Sequence, residues 1–295
     1  MNVNSMTRVD KNIRRINIIC LVIILLLIVV PMVYVLLASF MAPDTLINKG
    51  ISLNPSDWTV EGYKRVFGDK SIIRGFINSL MYSFSFAALN VIVTMMAAYP
   101  MSRDDLLFKK GINIFFVITM FFGGGLVPTY LLIKDLGMLD TVWALILPGC
   151  LSVFNLFLAQ VYIKTLPKEM IEAAKVDGAS EIQVFVKLIL PLSKSIMFVI
   201  FLYSFVGMWN SYFDAMIYIK SPELEPLQIV LRKILVQNQP NMNMIGQQTA
   251  MAELKKIAEL VKYSTIVVSS VPLIVMFPFF QKYFEKGISV GAVKG

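Results

Sequence analysis

The chain alternates long apolar stretches with polar connectors. Six stretches, roughly 16–40, 72–101, 112–134, 142–164, 190–219 and 262–284, are built mostly of apolar side chains. A hydrocarbon core about 30 Å thick needs about 20 such residues as helix, because other backbone there leaves amides unpaired. The pattern therefore predicts an all-α, polytopic membrane protein with six transmembrane helices. Its expected segments are a 1–15 N-terminal piece, a first helix at 16–40, a loop at 41–71, a five-helix core at 72–284 and a 285–295 tail. Ile16–Phe40 carries no charge and follows Arg8, Lys11, Arg14 and Arg15, as in a secretory leader. Its apolar run exceeds the roughly 7–15 residues of a leader, and no clear cleavage site follows, so it reads as a retained anchor.

Composition supports this class. Of 295 residues, 57% are hydrophobic and 16% charged, against about 25% charged in soluble domains. The net charge of +8 suggests nucleic acid, but positive charge beside membrane spans is its commoner cause. The short clusters Arg8–Arg15 and Arg103–Lys110 place both termini in the cytoplasm. Histidine is absent, and Cys20 and Cys150 both lie in apolar stretches, giving neither a metal-ligand ladder nor a disulfide framework. Lys70-Ser71, Lys194-Ser195 and Lys220-Ser221 all lack the glycine loop that cradles phosphate, so the chain does not hydrolyse a nucleotide unaided.

Two segments, 41–71 and 220–261, are expected to be large extracytoplasmic loops. In the second, Leu254, Ile257, Ala258 and Val261 recur at amphipathic-helix spacing. A docking surface and a solvated cover over the bundle fit that pattern equally.

The 165–190 stretch reads TLPKEMIEAAKVDGASEIQVFVKLIL. Pro167 suits a first helical turn, Met170, Ala173 and Ala174 share a face, and Gly178 suits a helix C-terminus. Ser180 and Gln183 have capping-box spacing and open a second helix with Ile182, Phe185, Val186 and Ile189 on one stripe. Pro191 then begins the next span. Helix, glycine turn and helix resemble a DNA-reading motif, but a recognition helix must enter a groove, and this one is tethered by membrane at both ends. What it offers instead is a small flat surface, Ala173 and Ala174, beside the carboxylates Glu172 and Asp177 that seek a basic partner.

The spacing of Glu172-Ala173-Ala174, Gly178, Ile189 and Leu190-Pro191 resembles the EAA loop of ABC-importer membrane subunits. FFGGGLVPTYLLIKDLGMLDTVWALILPG at 121–149, MWNSYFDAMIY at 208–218 and FEKGISVGAVKG at 284–295 are similar to carbohydrate permeases for complex oligosaccharides and polysaccharide fragments. The resemblance runs from about residue 12 onward. It implies a cytoplasmic coupling-helix loop in which Glu172, Ala173, Ala174, Asp177 and Gly178 dock on an ATPase, with the tail residues Gly291, Lys294 and Gly295 near the same interface. It implies as partners a second homologous permease, two ATPase subunits, an extracytoplasmic solute-binding protein, a sugar or oligosaccharide and membrane lipid, with no nucleic acid. ATP and Mg would sit on the partner ATPase, and this chain would bind no cofactor in the bacterial cytoplasmic membrane.

Polar groups inside spans usually face a cavity. Asn78, Ser79, Tyr82, Ser83, Ser85 and Asn90 fall in the second stretch, and Trp209, Asn210, Tyr212 and Asp214 in the fifth. Asn78, Tyr82, Trp209, Asn210, Tyr212 and Asp214 are the expected substrate path, since aromatic faces and amide or carboxylate acceptors suit sugars. The alternative for Trp209, Tyr212 and Asp214 is interfacial placement near a span end. Gly123-Gly124-Gly125 and Pro128 break the third stretch, as a substrate-holding helix or as a packing kink. An ion-coupled secondary transporter working alone is the competing function; it predicts an internal repeat and midplane ionisable residues, and the chain has no such repeat and few such residues.

Overall fold

The computed structural model describes residues 8–52, 54–237 and 261–281, and these are almost entirely helical. Among them the only extended pairing is an isolated bridge between Met41 and Trp58. The chain divides into two units, 1–69 with 233–270 and 70–232 with 271–295.

The first unit holds α1 (Arg8–Ala38), α2 (Pro43–Asn48), α3 (Glu61–Gly68) and the start of the last helix. At 31 residues, α1 is about 46 Å long. Its leucines, isoleucines and valines are exposed on nearly all sides, a state that lipid tolerates and water does not. After α1 the chain folds a small cap, where the Ser39 and Tyr63 hydroxyls meet at 2.6 Å and the Phe40 ring lies against Trp58 and Tyr63. Ser264 donates from its hydroxyl to the Ser39 carbonyl at 3.3 Å, tying the last helix to the same cap.

The second unit is built on α4 (Lys70–Ser102). Then come α5 (Lys109–Phe121) and α6 (Leu126–Asp135), α7 (Trp143–Ile146), α8 (Val153–Lys164), α9 (Lys168–Val176) and α10 (Glu181–Leu192). They are followed by α11 (Lys194–Asn210), α12 (Phe213–Tyr218), α13 (Leu227–Gln237), which belongs to this unit as far as Arg232, and α14 (Val261–Gln281), which belongs to it from Val271 onward. Three helices, α1, α4 and α14, are each long and apolar enough to cross a bilayer alone.

The other expected spans are interrupted, and most of the breaks lie beside a proline or a glycine. α5 and α6 meet at 107° across Phe122–Gly125, where Gly125 has φ +83°, a left-handed conformation that favours glycine. The expected helix at 142–164 is two helices, because Pro148 has no N–H to donate and Gly149 follows it. The expected 190–219 span starts later: Pro191 lies inside α10, after a π-helical turn at Phe185–Ile189, and α11 leaves Ser193 at 76°. That span then breaks again before α12.

α4 is the hub of packing. Val91, Met95 and Ala98 meet Leu156, Ala159 and Ile163 of α8 and Ile196 and Ile200 of α11. Ala87, Ala98 and Ala159 are fully buried, and such small residues let helix backbones approach closely. A second core, at the other end of α4, joins Tyr82, Ile133, Ala144, Leu145, Ala215 and Tyr218.

Candidate functional site

The helix breaks surround a cavity of about 640 Å³ inside the second unit. Its wall carries Asn90 from α4, Asn155 from α8 and Ser204 from α11. Asn155 donates to the Oδ1 of Asn90 at 3.2 Å and to the Ser204 hydroxyl at 3.4 Å. Asn90 in turn donates to the Gly149 carbonyl at 3.4 Å, an acceptor exposed by the interruption after α7. Backbone freed from a helix thus borders the cavity, as the polarity rule for membrane interiors requires. Asp214, in the first turn of α12, is the cavity's carboxylate.

Of the six residues expected to form a path, Asp214 alone lines this cavity; Tyr82 joins it only at a second cavity of about 10 Å³. Asn78 donates its amide to the carbonyls of Glu223 and Glu225 at 2.8 and 3.0 Å, and the Tyr82 hydroxyl donates to the Leu224 carbonyl at 3.1 Å. Ser79 completes the stripe by accepting from the Leu227 N–H at 2.8 Å. These side chains moor the 222–227 turn to α4. Trp209 is buried between Phe205 and Phe76, with ring centroids 6.1 and 5.6 Å away. Asn210 donates back to the Val206 carbonyl of its own helix at 2.9 Å, and the Tyr212 ring carries the Arg232 guanidinium 5.3 Å from its centroid.

Sequence reasoning missed Asn155, hidden near the start of a short apolar helix, and Asp140. Asp140 adopts φ 57°, and its carboxylate accepts the Lys220 and Ser221 N–H groups, each at 2.8 Å, and the Ser221 hydroxyl at 2.6 Å. Those bonds hold the Asp140 carboxyl below the ordinary aspartate range. Its place three residues after Gly137, in the short connector between two apolar stretches, was the available signal.

The second candidate surface is the α9–α10 hairpin. α9 starts at Lys168, so Pro167 stands just before the helix instead of in its first turn. It ends in a Schellman turn: Ala179 N–H bonds the Ala174 carbonyl and Gly178 N–H the Lys175 carbonyl, each at 3.0 Å, with Gly178 at φ +82°. Ser180 and Gln183 form the expected capping box, with bonds of 2.8 and 3.3 Å. The apolar stripe of α10 differs from expectation. Val184 and Ile189 are buried while Ile182 is 76% exposed, because the π turn rotates the face that meets α4 and α8. Glu172, Ala173, Asp177 and Gly178 are exposed, and Ala174 packs partly against the core. Val176, 88% exposed, and Ile182 add apolar area beside them. Gly291, Lys294 and Gly295 lie outside the described residues.

A charged network holds this hairpin against the end of α4. Glu181 pairs with Arg103, with Lys175 at 2.9 Å, and accepts from the Tyr99 hydroxyl at 2.9 Å. Asp104 bridges Lys168 at 2.9 Å and Lys109 at 3.2 Å. The guanidinium of Arg103 and the ammonium of Lys175 hold the Glu181 carboxyl at about 2, and Arg103 holds Asp105 at about 2 as well. Bonds from Lys168 and Lys109 lower Asp104, and the Lys168 ammonium is raised in return. Among the described residues no group of His, Cys, Asp and Glu is placed to hold a metal.

Apolar helices of membrane-spanning length, a polar cavity among interrupted helices and an exposed helical hairpin define a multi-pass membrane transport component. Residues 70–290 match the family described as binding-protein-dependent transport system inner membrane component, and the chain belongs to it. Glu172-Ala173-Ala174 and Gly178 are its characteristic EAA motif. The chain is 33% identical over 273 residues to the polygalacturonan/rhamnogalacturonan transport system permease protein YtcP of Bacillus subtilis (strain 168), covering 92% of this chain and 94% of that one. It is 35% identical over 271 residues to Protein LplC of the same organism, covering 90% of each. A chain in the crystal structure of a bacterial ABC transporter involved in the import of the acidic polysaccharide alginate superposes with TM-score 0.84. It is 28% identical and covers 95% of this chain and 99% of its own length.

Proposed function

We propose that this chain is a membrane-spanning permease subunit of an ATP-driven carbohydrate importer, moving an oligosaccharide by alternating access. The observation that carries the reading is the exposed α9–α10 hairpin, braced by a hydrogen bond to Tyr99 of α4 and by ion pairs to Arg103 and Asp104 just after it, while the middle of α4 lines the polar cavity. A push on the hairpin reaches the cavity through one rigid element. Six spans fit this role: α1, α4, the α5–α6 pair, the α7–α8 pair, α11 with α12, and α14, with both termini and the 165–190 loop in the cytoplasm. The 1–15 and 285–295 segments are then cytoplasmic, and 41–71 and 220–261 extracytoplasmic.

The partners are a second, similar permease, two ATPase subunits and an extracytoplasmic binding protein. ATP and Mg are bound by the ATPases, so this chain carries no cofactor and performs no hydrolysis. Glu172 meets a basic side chain of the ATPase, Ala173, Ala174 and Gly178 allow close approach, and Asp177 and the tail residues Gly291, Lys294 and Gly295 flank the same interface. The relatives named for polygalacturonan/rhamnogalacturonan transport and alginate import support carbohydrate as the solute. Asp214 and the amides of Asn90 and Asn155 supply acceptors and donors of the kind sugar hydroxyls use.

Charge reversal at the hairpin tests the reading. Glu172→Lys in the complete complex, reconstituted in vesicles, is expected to abolish both transport and solute-stimulated ATPase activity while assembly persists. Normal levels of both would remove the coupling assignment.

A further inference from the structure

The cavity has one sign of charge. Asp214 is its carboxylate, and none of the residues lining it is a lysine or arginine. Among the described residues no cation pairs with the Asp214 carboxylate either: the nearby Arg232 sits over the Tyr212 ring, outside the cavity lining. The remaining polar groups are neutral amides and hydroxyls, with Asn155, Asn90 and Ser204 already bonded to one another.

From this we infer that this subunit's wall of the path selects against anionic sugars: it takes neutral saccharide units and disfavours uronate units. The inference rests on the carbohydrate reading above and concerns this wall only. An ionised carboxylate is an acceptor with two oxygens and no proton to give, so it suits a pair of neighbouring sugar hydroxyls. A uronate brought to the same place presents a second acceptor of the same charge. With no cation between them the two repel, and the repulsion is felt more strongly in a cavity bounded by protein and lipid than in water. A path built for acidic polysaccharide would place a guanidinium or ammonium here, as planar carboxylate recognition favours. Any cation needed for a uronate must then come from the partner permease or another subunit.

The experiment is a ratio measured in the complete complex. Uptake of a neutral tetrasaccharide and of a uronate tetrasaccharide, each at saturating concentration, is compared in vesicles with the same binding protein in every arm. Asp214→Asn is expected to raise the uronate-to-neutral ratio about tenfold, the change that corresponds to removing about 1.4 kcal/mol of repulsion. Asp214→Glu, which keeps the charge, is expected to keep the wild-type ratio. A ratio that Asp214→Asn leaves where it stood, zero included, while ATP-driven sugar uptake continues, overturns the inference and leaves the permease reading intact. If the wild-type complex takes up neither sugar class with ATP, the carbohydrate reading falls, and this inference falls with it.

Discussion

Lys168, the first residue of α9, reaches Asp104 in the loop after α4 and closes an ion pair of 2.9 Å. Asp104 holds Lys109 as well, so one carboxylate ties the hairpin to both α4 and α5. Exposed pairs of this kind are individually weak, because water and salt screen them. Two lost together loosen the hairpin by enough to matter for transmission and by too little to unfold the bundle. Asp104→Ala is expected to lower solute-stimulated ATPase activity of the reconstituted complex about two- to fivefold at low salt. Because salt screens exposed charges within about 3 Å at 1 M, the gap between variant and wild type should narrow as salt rises. Equal activities at low salt would show that the bridge transmits nothing.

The same network fixes how the hairpin answers to pH. Glu181 lies at about 2 in the folded chain against an ordinary 4.5, so its contribution is complete above about pH 4.5 and is lost as pH falls toward about 2. Lys168 is shifted upward, so its pairing persists to higher pH than an ordinary lysine would allow. Hydrogen exchange of α9 and α10 amides, corrected for intrinsic pH dependence, should therefore be flat between about pH 5 and 8. Protection should drop only below about pH 4.5. A step near neutrality would mean that some other group controls the hairpin.

Gly75 shows how tightly the turn after α12 is seated. A Cβ added there would stand 3.0 Å from a Val230 methyl and 3.2 Å from the Leu227 Cα, so α13 approaches α4 where only glycine fits. Gly75→Val is expected to destabilise the purified complex by about 1–3 kcal/mol through overpacking. Asn78→Ala, which strips the Glu223 and Glu225 carbonyls of their donor, should cost about 1 kcal/mol. Thermal unfolding in detergent reads both. Asn78→Ala should lower stability even with no sugar present, which separates mooring from substrate contact.

How far these features were legible depends on the range of the interaction behind them. The hairpin could be read almost residue by residue, because the Gly178 turn and the Ser180–Gln183 box are made within four positions of sequence. The apolar stretches were legible for the same local reason, as was the break at Gly123–Gly125. The face of α10 was not, since the π turn before Pro191 shifts the period that a stripe assumes. Nor was the function of polar side chains on α4. Asn78 and Asn90 have the same chemistry and lie on the same helix, yet one moors a turn about 145 residues away and the other borders the cavity. Only tertiary pairing separates them. Asn155 failed for the converse reason: nothing in its apolar neighbourhood marks the amide that meets it across 65 residues.

Gly178 allows two physical demands to be told apart. Its φ of +82° is a left-handed conformation that costs an alanine about 1–2 kcal/mol, whereas asparagine adopts it more readily. A Cβ at this position meets nothing within 4 Å in this chain, so the folded subunit itself has room for one. If the backbone turn is what the position protects, Gly178→Asn should retain several times the transport activity of Gly178→Ala. If close approach of the ATPase is the demand, asparagine, being larger, should do no better than alanine. The hairpin's Schellman turn makes the first outcome the expected one, because it sets the angle at which α9 presents Glu172 and Ala173. Transport by the two variants in reconstituted vesicles, with assembly of the complex checked in each, decides between them.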